Sequence, residues 1–178
     1  MTGQELIKLL EHNHLTEDIL AKKLVKTLRE KGLKIATAES CTGGLVSSMI
    51  TSVSGASEVF DCGVCSYSNR IKHQLLGVKD ETLSTFGAVS EETAKEMAAG
   101  VRRLSSSDIG ISTTGIAGPT GGTTEKPVGL VYVGVSARDT LFAVRLMLSD
   151  VADSREEVRR LAVLAALYHA LKEAGKAS

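Results

Sequence analysis

Aromatic residues make up only 3% of this 178-residue chain, and tryptophan is absent. Few rings are therefore available as platforms on which the bases of a single-stranded nucleic acid could stack. An excess charge of one sign is also missing. Lys plus Arg and Asp plus Glu each total 21, the formal net charge is zero, and no basic block stands ready to neutralise a run of phosphates. Nucleic acid is not expected as the main partner. No apolar run approaches the length that crosses a bilayer, and the start, Met1-Thr2-Gly3-Gln4-Glu5, lacks the basic patch and apolar stretch of a secretion signal. The expectation is a cytoplasmic protein without membrane association. Cysteine is scarce and odd in number, with Cys41, Cys62 and Cys65 in a chain too large to need disulfide staples, which suits free thiols in a reducing compartment.

What is present is enough apolar material, 43% of residues, for one proper core. A single domain over 1–178 is expected, with residues 1–15 as an N-terminal helical extension opened by a Thr2/Glu5 capping box. Thr16 caps a helix carrying Leu20, Leu24, Val25 and Leu28 at helical spacing, and Gly32 ends it. Residues 34–38 read as a short strand. Gly43-Gly44 then opens a helix with Leu45, Val46, Met49, Ile50 and Val53 along one stripe. The unit repeats: 59–67 reads as a buried strand, and Ser68 caps a helix carrying Ile71, Leu75 and Leu76. Ser90 starts a helix with Ala94, Met97, Ala98, Val101 and Leu104 on its inner face, and 109–113 is another strand. Residues 114–127 are rich in Gly, Thr and Pro without periodicity, the pattern of a long functional loop. Strands at 128–137 and 141–148 flank a turn at Arg138-Asp139, as in an antiparallel hairpin, and a Ser154/Glu157 capping box begins the final helix through Val158, Leu161, Leu164 and Leu171. Together these predict an α/β fold, a mixed β-sheet with helices packed on both faces in α/β/α layers.

The segment Thr37-Ala38-Glu39-Ser40-Cys41-Thr42-Gly43-Gly44 places a serine where a strand turns sharply into a helix. Backbone N–H groups of such a turn can serve as an oxyanion hole, and the glycines let the backbone approach a ligand closely. A plain reading is also open: in most Ser-x-x-Gly sequences, as Ser40 or Thr42 could here, the hydroxyl merely caps the helix. No histidine completes a triad. His12, His14, His73 and His169 sit in no recognisable motif and read as surface or structural residues, and the G-x-S-x-G elbow is absent. Lys72 offers a base instead, in the first turn of the helix capped by Ser68, with Tyr67 ending the preceding strand. The positive helix end disfavours an ammonium, so a neutral lysine, or a tyrosine bridging to it, could take the serine proton. A solvated lysine beside a half-buried tyrosine is the equal alternative.

Cys62-Gly63-Val64-Cys65 matches C-x-x-C but lies inside an apolar strand with no second ligand pair, so both read as core cysteines and no metal or cofactor is expected. The 115–127 loop lacks the Gly-Lys-Ser/Thr of a P-loop, and no G-x-G-x-x-G opens a helix. Its backbone donors, threonines and Lys126 suit a smaller anion, or it is simply a mobile loop.

The motifs TAESCTGG, YSNRIK with the following LLGV, GAVSEETAKEMA and TGIAGPTGGTTEKPVG, in this order, closely resemble the competence/damage-inducible CinA C-terminal domain family, from about residue 34 to the final helix. The resemblance implies a nicotinamide mononucleotide amidohydrolase of pyridine-nucleotide salvage, a homo-oligomer needing no cofactor. It implies Ser40 as nucleophile with Tyr67 and Lys72 assisting, and Arg155 near the start of the final helix as a substrate contact. Glu39, Cys41, Thr42, Gly43, Gly44, Thr114, Gly115, Gly118 and Gly121 complete the expected oxyanion and substrate-binding set. Departures are modest: Ser54-Gly55 replaces a common Pro-Gly turn, Cys62 and Cys65 are unusual, and Thr120 and Thr123 stand where glycine is frequent. Larger family members carry a preceding domain resembling molybdopterin-binding proteins, for which this chain has no room. The competing reading is a non-catalytic nucleotide-binding or interaction module serving DNA uptake.

Overall fold

Alternating strands and amphipathic helices leave one economical arrangement, a sheet whose two faces are each covered by helices. The computed structural model describes residues 1–176. Two helices come first, α1 (Gly3–His12) and α2 (Glu17–Lys31). The Thr2/Glu5 capping box is formed, and Asp150 accepts from the N–H groups of Gly3 and Gln4 at 2.8 and 3.0 Å, so α1 is docked across the chain as well as capped locally. Then follow β1 (Ile35–Glu39), α3 (Leu45–Thr51), a short 3-10 turn (Ala56–Glu58), β2 (Phe60–Cys65), α4 (Asn69–Leu76), α5 (Asp80–Thr85), α6 (Glu91–Ser105), β3 (Ile109–Gly115), the hairpin β4 (Leu130–Ser136) and β5 (Leu141–Met147), and α7 (Arg155–Lys176).

The strands lie in the order β2-β1-β3-β4-β5. β1 pairs parallel with both β2 and β3, while β3, β4 and β5 run antiparallel in turn, so the sheet is mixed as expected. The larger core lies between the sheet residues Ile35, Ile109, Ile111, Val131, Val133 and Leu146 and the inner faces of α1, α2, α3 and α7. Burying each such side chain contributes about 1.5–3 kcal/mol. The second, smaller core joins Ala36 and Ala38 to Leu76, Val78, Met97 and Val101 beneath α4 and α6. Helix α6 sits close to the sheet because a Cβ on Gly110 or Gly134 would come within 2.2 Å of the Ala98 or Ala94 carbonyl oxygen.

Three expectations need correction. The predicted buried strand at 59–67 is the shorter β2, an edge strand with alternating half-buried and exposed residues, so Cys65 is exposed, Cys62 half-buried, and only Cys41 is a core thiol. Leu104, placed on the inner face of its helix by its spacing, is 47% exposed, and Leu75, named among the apolar residues of the helix after Ser68, is 44% exposed. Helix α5 was not foreseen, because six residues are too few for the apolar stripe that identifies longer helices.

Candidate active site

The C-terminal ends of β1, β2 and β3 lie side by side, and every loop leaving them converges there. Ser40 follows β1 directly, its N–H donating to the Thr113 carbonyl at 2.9 Å. Side chains alternate along a strand, so Ser40 shares the face of Ala36 and Ala38, toward α4 and α6. Lys72 reaches it there. Its Nζ lies 3.0 Å from Ser40 Oγ and donates to the Ser66 carbonyl at 2.7 Å. The lysine is 1% exposed, and no carboxylate lies within ion-pair distance among the described residues. Burial lowers its pKa below the usual lysine range, the Coulomb influence of the Cys41 sulfur acting weakly the other way. The Ser66 carbonyl can only accept, so one N–H of a neutral amine is committed to it, which leaves the lone pair free to take the proton of Ser40. The Ser66 hydroxyl, fully buried on the same residue, has no hydrogen-bond partner among the described residues.

Glu39 has a different task from the substrate contact expected of it. Its carboxylate accepts from Thr42 Oγ1 at 2.6 Å, from the N–H groups of Gly44, Val46 and Ser47 at 2.9, 3.0 and 2.8 Å, and from Ser47 Oγ at 2.7 Å. It therefore fills the amino end of α3 from within, and Gly44 N–H is spent rather than available to an oxyanion. Thr42 gives its proton to Glu39, so in the 2.7 Å contact between Thr42 Oγ1 and Thr113 Oγ1 the donor is Thr113. The turn is tight enough to require left-handed backbone at Gly43 and Gly44, with φ of 60° and 99°. The N–H groups of Cys41, Thr42 and Gly43 donate to no other residue among the described residues, which leaves them as the turn's unspent donors. Burial drives the adjacent Cys41 thiol up to about 12, with Glu39 adding to the effect against Lys72 and Arg159, so it stays protonated and inert beside the serine.

Tyr67 is not the half-buried neighbour of Lys72 that its place in the motif suggested. It is 67% exposed, and its hydroxyl accepts from Arg155 Nη2 at 3.1 Å. Arg155 also donates from Nη1 to the Gly118 carbonyl at 2.8 Å. Tyr67, Arg155 and Gly118 thus form one rim of the site. Thr114 is committed elsewhere: its hydroxyl donates to the Ala88 carbonyl at 2.6 Å and has no proton left for an oxyanion. Gly115 is a packing position, where a Cβ would meet Leu130 O and Val131 Cγ2 at 2.7 Å, and Gly121 lies at the exposed loop tip. Lys126, expected to attract an anion, donates to the Phe86 carbonyl at 2.6 Å and ties the loop to the end of α5. Sequence reasoning missed Arg159, whose Nε and Nη2 hold the carbonyls of Cys41 and Thr42 at 3.1 and 2.8 Å. Its signal was present, one helical turn after Arg155 on the same face of α7. The clefts of about 370 Å³ between α1, α2 and α7 and about 740 Å³ beside Arg138 and Glu173 lie away from Ser40.

Among the described residues no three His, Cys, Asp or Glu side chains are grouped to hold a metal ion, and no helix is long and apolar enough to cross a membrane. The profile of the CinA C-terminal domain matches residues 17–174. The chain is 54% identical over 151 residues to a putative competence-damage inducible protein of Thermoanaerobacter sp. (strain X514), covering 85% of this chain and 36% of that protein. It is likewise 54% identical over 151 residues, 85% of this chain, to a CinA-like protein of Kosmotoga olearia, again spanning 36% of the relative's length. The crystal structure of the competence/damage inducible protein CihA from Agrobacterium tumefaciens superposes with a TM-score of 0.85 at 40% identity, covering 90% of this chain and 96% of that one. The competence damage-inducible protein A (ComA) of Klebsiella pneumoniae gives 0.86 at 31% identity, covering 92% and 99%. The chain spans about a third of the length of these curated relatives and nearly all of the solved structures, and it belongs to the CinA C-terminal domain family.

Proposed function

We propose that this domain is a nicotinamide mononucleotide amidohydrolase acting through Ser40 and Lys72. The observation that carries the reading is the 3.0 Å contact between a serine at a strand-to-turn junction and a buried lysine that has no acidic partner among the described residues. A binding module gains nothing from a buried lysine directed at a serine, whereas a hydrolase needs that pair. The substrate assignment rests on the family resemblance, and the relatives' names speak only of competence and damage.

In the first half-reaction Ser40 Oγ attacks the carboxamide carbon while its proton passes to neutral Lys72. The tetrahedral oxyanion is held by the N–H groups of Thr42 and Gly43. Lys72 then protonates the departing nitrogen, ammonia leaves, and an ester to Ser40 remains. Water attacks that ester, gives its proton to Lys72, and nicotinate mononucleotide departs as Ser40 recovers its proton. Arg155 on the rim suits the substrate phosphate, its planar fork carrying a full charge with a carbonyl and a phenol as its partners among the described residues. The domain acts in the cytoplasm, as a homo-oligomer and without a cofactor.

Ammonia release from nicotinamide mononucleotide tests the reading. Ser40→Ala is expected to lower turnover by at least about 1,000-fold while substrate binding, followed by calorimetry, stays largely intact. A Ser40→Ala enzyme with wild-type turnover would contradict it.

A further inference from the structure

Three guanidinium groups mark the first turns of α7, and their partners differ. Arg160 is saturated by carboxylates, with both oxygens of Glu157 and with Glu17. Arg159 has no carboxylate within ion-pair distance among the described residues and gives its fork to two successive backbone carbonyls of the turn after Ser40. A charged group spent on neutral carbonyls asks for a reason.

The peptide plane supplies it. Across a trans peptide the carbonyl of one residue and the N–H of the next point in opposite directions. Holding the Cys41 carbonyl therefore turns Thr42 N–H away from Arg159, and holding the Thr42 carbonyl does the same to Gly43 N–H. Arg159 lies on the α7 side of the sheet, whereas Ser40 and Lys72 face α4 and α6, so both donors are aimed at the serine's side. Gly44, Val46 and Ser47 have given their N–H groups to Glu39 and Leu45 its own to Thr42; the N–H groups of Cys41, Thr42 and Gly43 remain, and Arg159 sets the direction of the last two. Gly43 also fits this arrangement, since a Cβ there would approach Arg159 Nη2 to 3.3 Å.

We infer that Arg159 is a positioning residue which, through the carbonyls of Cys41 and Thr42, aims the Thr42 and Gly43 N–H groups as an oxyanion hole and polarises them with its charge. It touches neither substrate nor Ser40. Its effect falls on the barrier rather than on substrate affinity, because the interaction it organises strengthens only as negative charge develops on the substrate oxygen.

The inference deepens the reading of Ser40 as an acylated nucleophile and is tested without the mononucleotide by phosphonylation with a fluorophosphonate. There Ser40 Oγ bonds to phosphorus, fluoride leaves, the hydroxyl proton passes to Lys72, and the phosphoryl oxygen occupies the oxyanion position. Arg159→Ala is expected to slow labelling of Ser40 by about 100-fold and to be partly restored by added guanidinium at sub-denaturing concentration. With nicotinamide mononucleotide the same variant should lose kcat with KM nearly unchanged. Arg159→Lys, which keeps the charge but not the fork, should fall between the two. It carries the test if the alanine variant does not fold. Labelling of either variant at the wild-type rate, or a loss that guanidinium leaves untouched while thermal stability falls, overturns the inference. A wild-type enzyme that is labelled at Ser40 yet releases no ammonia contradicts the substrate assignment instead, and the labelling rates still decide the role of Arg159.

Discussion

At the residue scale, the serine and the lysine were legible in the sequence because each is set by a local signal. Gly43 and Gly44 force the turn after β1, and Ser68 caps α4 through Ile71 N–H at 3.3 Å, which fixes where Lys72 stands. The partner of each side chain was not legible. Tyr67 was expected beside Lys72 because the two lie near each other in sequence, but the aromatic ring turns outward to a residue 88 positions away. Glu39 was expected near substrate and is instead consumed by five donors behind it. Only the folded turn reveals that its N–H groups are oriented inward. If the Tyr67 hydroxyl serves to anchor Arg155, from which it accepts, Tyr67→Phe should act on binding. Steady-state kinetics is expected to show KM for the mononucleotide raised roughly three- to tenfold, the loss of one modest hydrogen bond to a charged group, with kcat changed far less. A collapse of kcat at constant KM would return the tyrosine to the proton path.

At the scale of elements, helices with strong periodicity and caps were readable, and so was the hairpin, whose turn separates two apolar runs. Burial was misjudged where pairing partners decide it. The run 59–65 is apolar apart from Asp61 and reads as buried, yet at the sheet edge one strand neighbour is missing and its residues from Phe60 on alternate between half-buried and exposed. The Ser154/Glu157 box is half made: Ser154 Oγ accepts from Glu157 N–H at 3.2 Å, but the glutamate side chain turns to Arg160. Further along α7, His169 packs edge-on against Phe142 and Tyr168, with Nε2 buried and without a hydrogen-bond partner among the described residues. Burial, aided by Lys172 and Lys176, lowers its pKa to about 4 from the ordinary 6.5. The imidazole is neutral in both folded and unfolded chains above pH 6.5. Between 6.5 and 4 only the unfolded chain takes up the proton, so this contribution to stability declines as pH falls and is gone below the folded value. The loss is at most about 3 kcal/mol. Thermal unfolding at pH 7 and pH 5 should therefore show a smaller drop for His169→Phe than for the wild type, and an equal drop in both would contradict this.

At the scale of the whole molecule, strand number and type could be read, but strand order could not, because which strands pair is settled by contacts distant in sequence. That order makes the site. The order in which strands are added reverses at β1, with β2 on one side of it and β3 and the later strands on the other, while β1, β2 and β3 all run parallel. Ligands of open α/β sheets bind in the crevice beyond the strand ends at such a switch point. Ser40 comes from β1, Lys72 from the helix after β2, Thr113 and Gly118 from β3 and its loop, and Arg155 and Arg159 from α7. The most direct test of this assembly is the pH dependence of ammonia release from nicotinamide mononucleotide by the wild type and by Lys72→Arg. A buried lysine acting as base must be neutral, so the wild-type rate should rise with pH along a limb centred below the ordinary lysine range. A guanidinium cannot accept the proton, so Lys72→Arg should lose at least about 100-fold in turnover, and that limb with it. A folded Lys72→Arg enzyme with near-normal turnover and an unchanged pH profile would contradict the account.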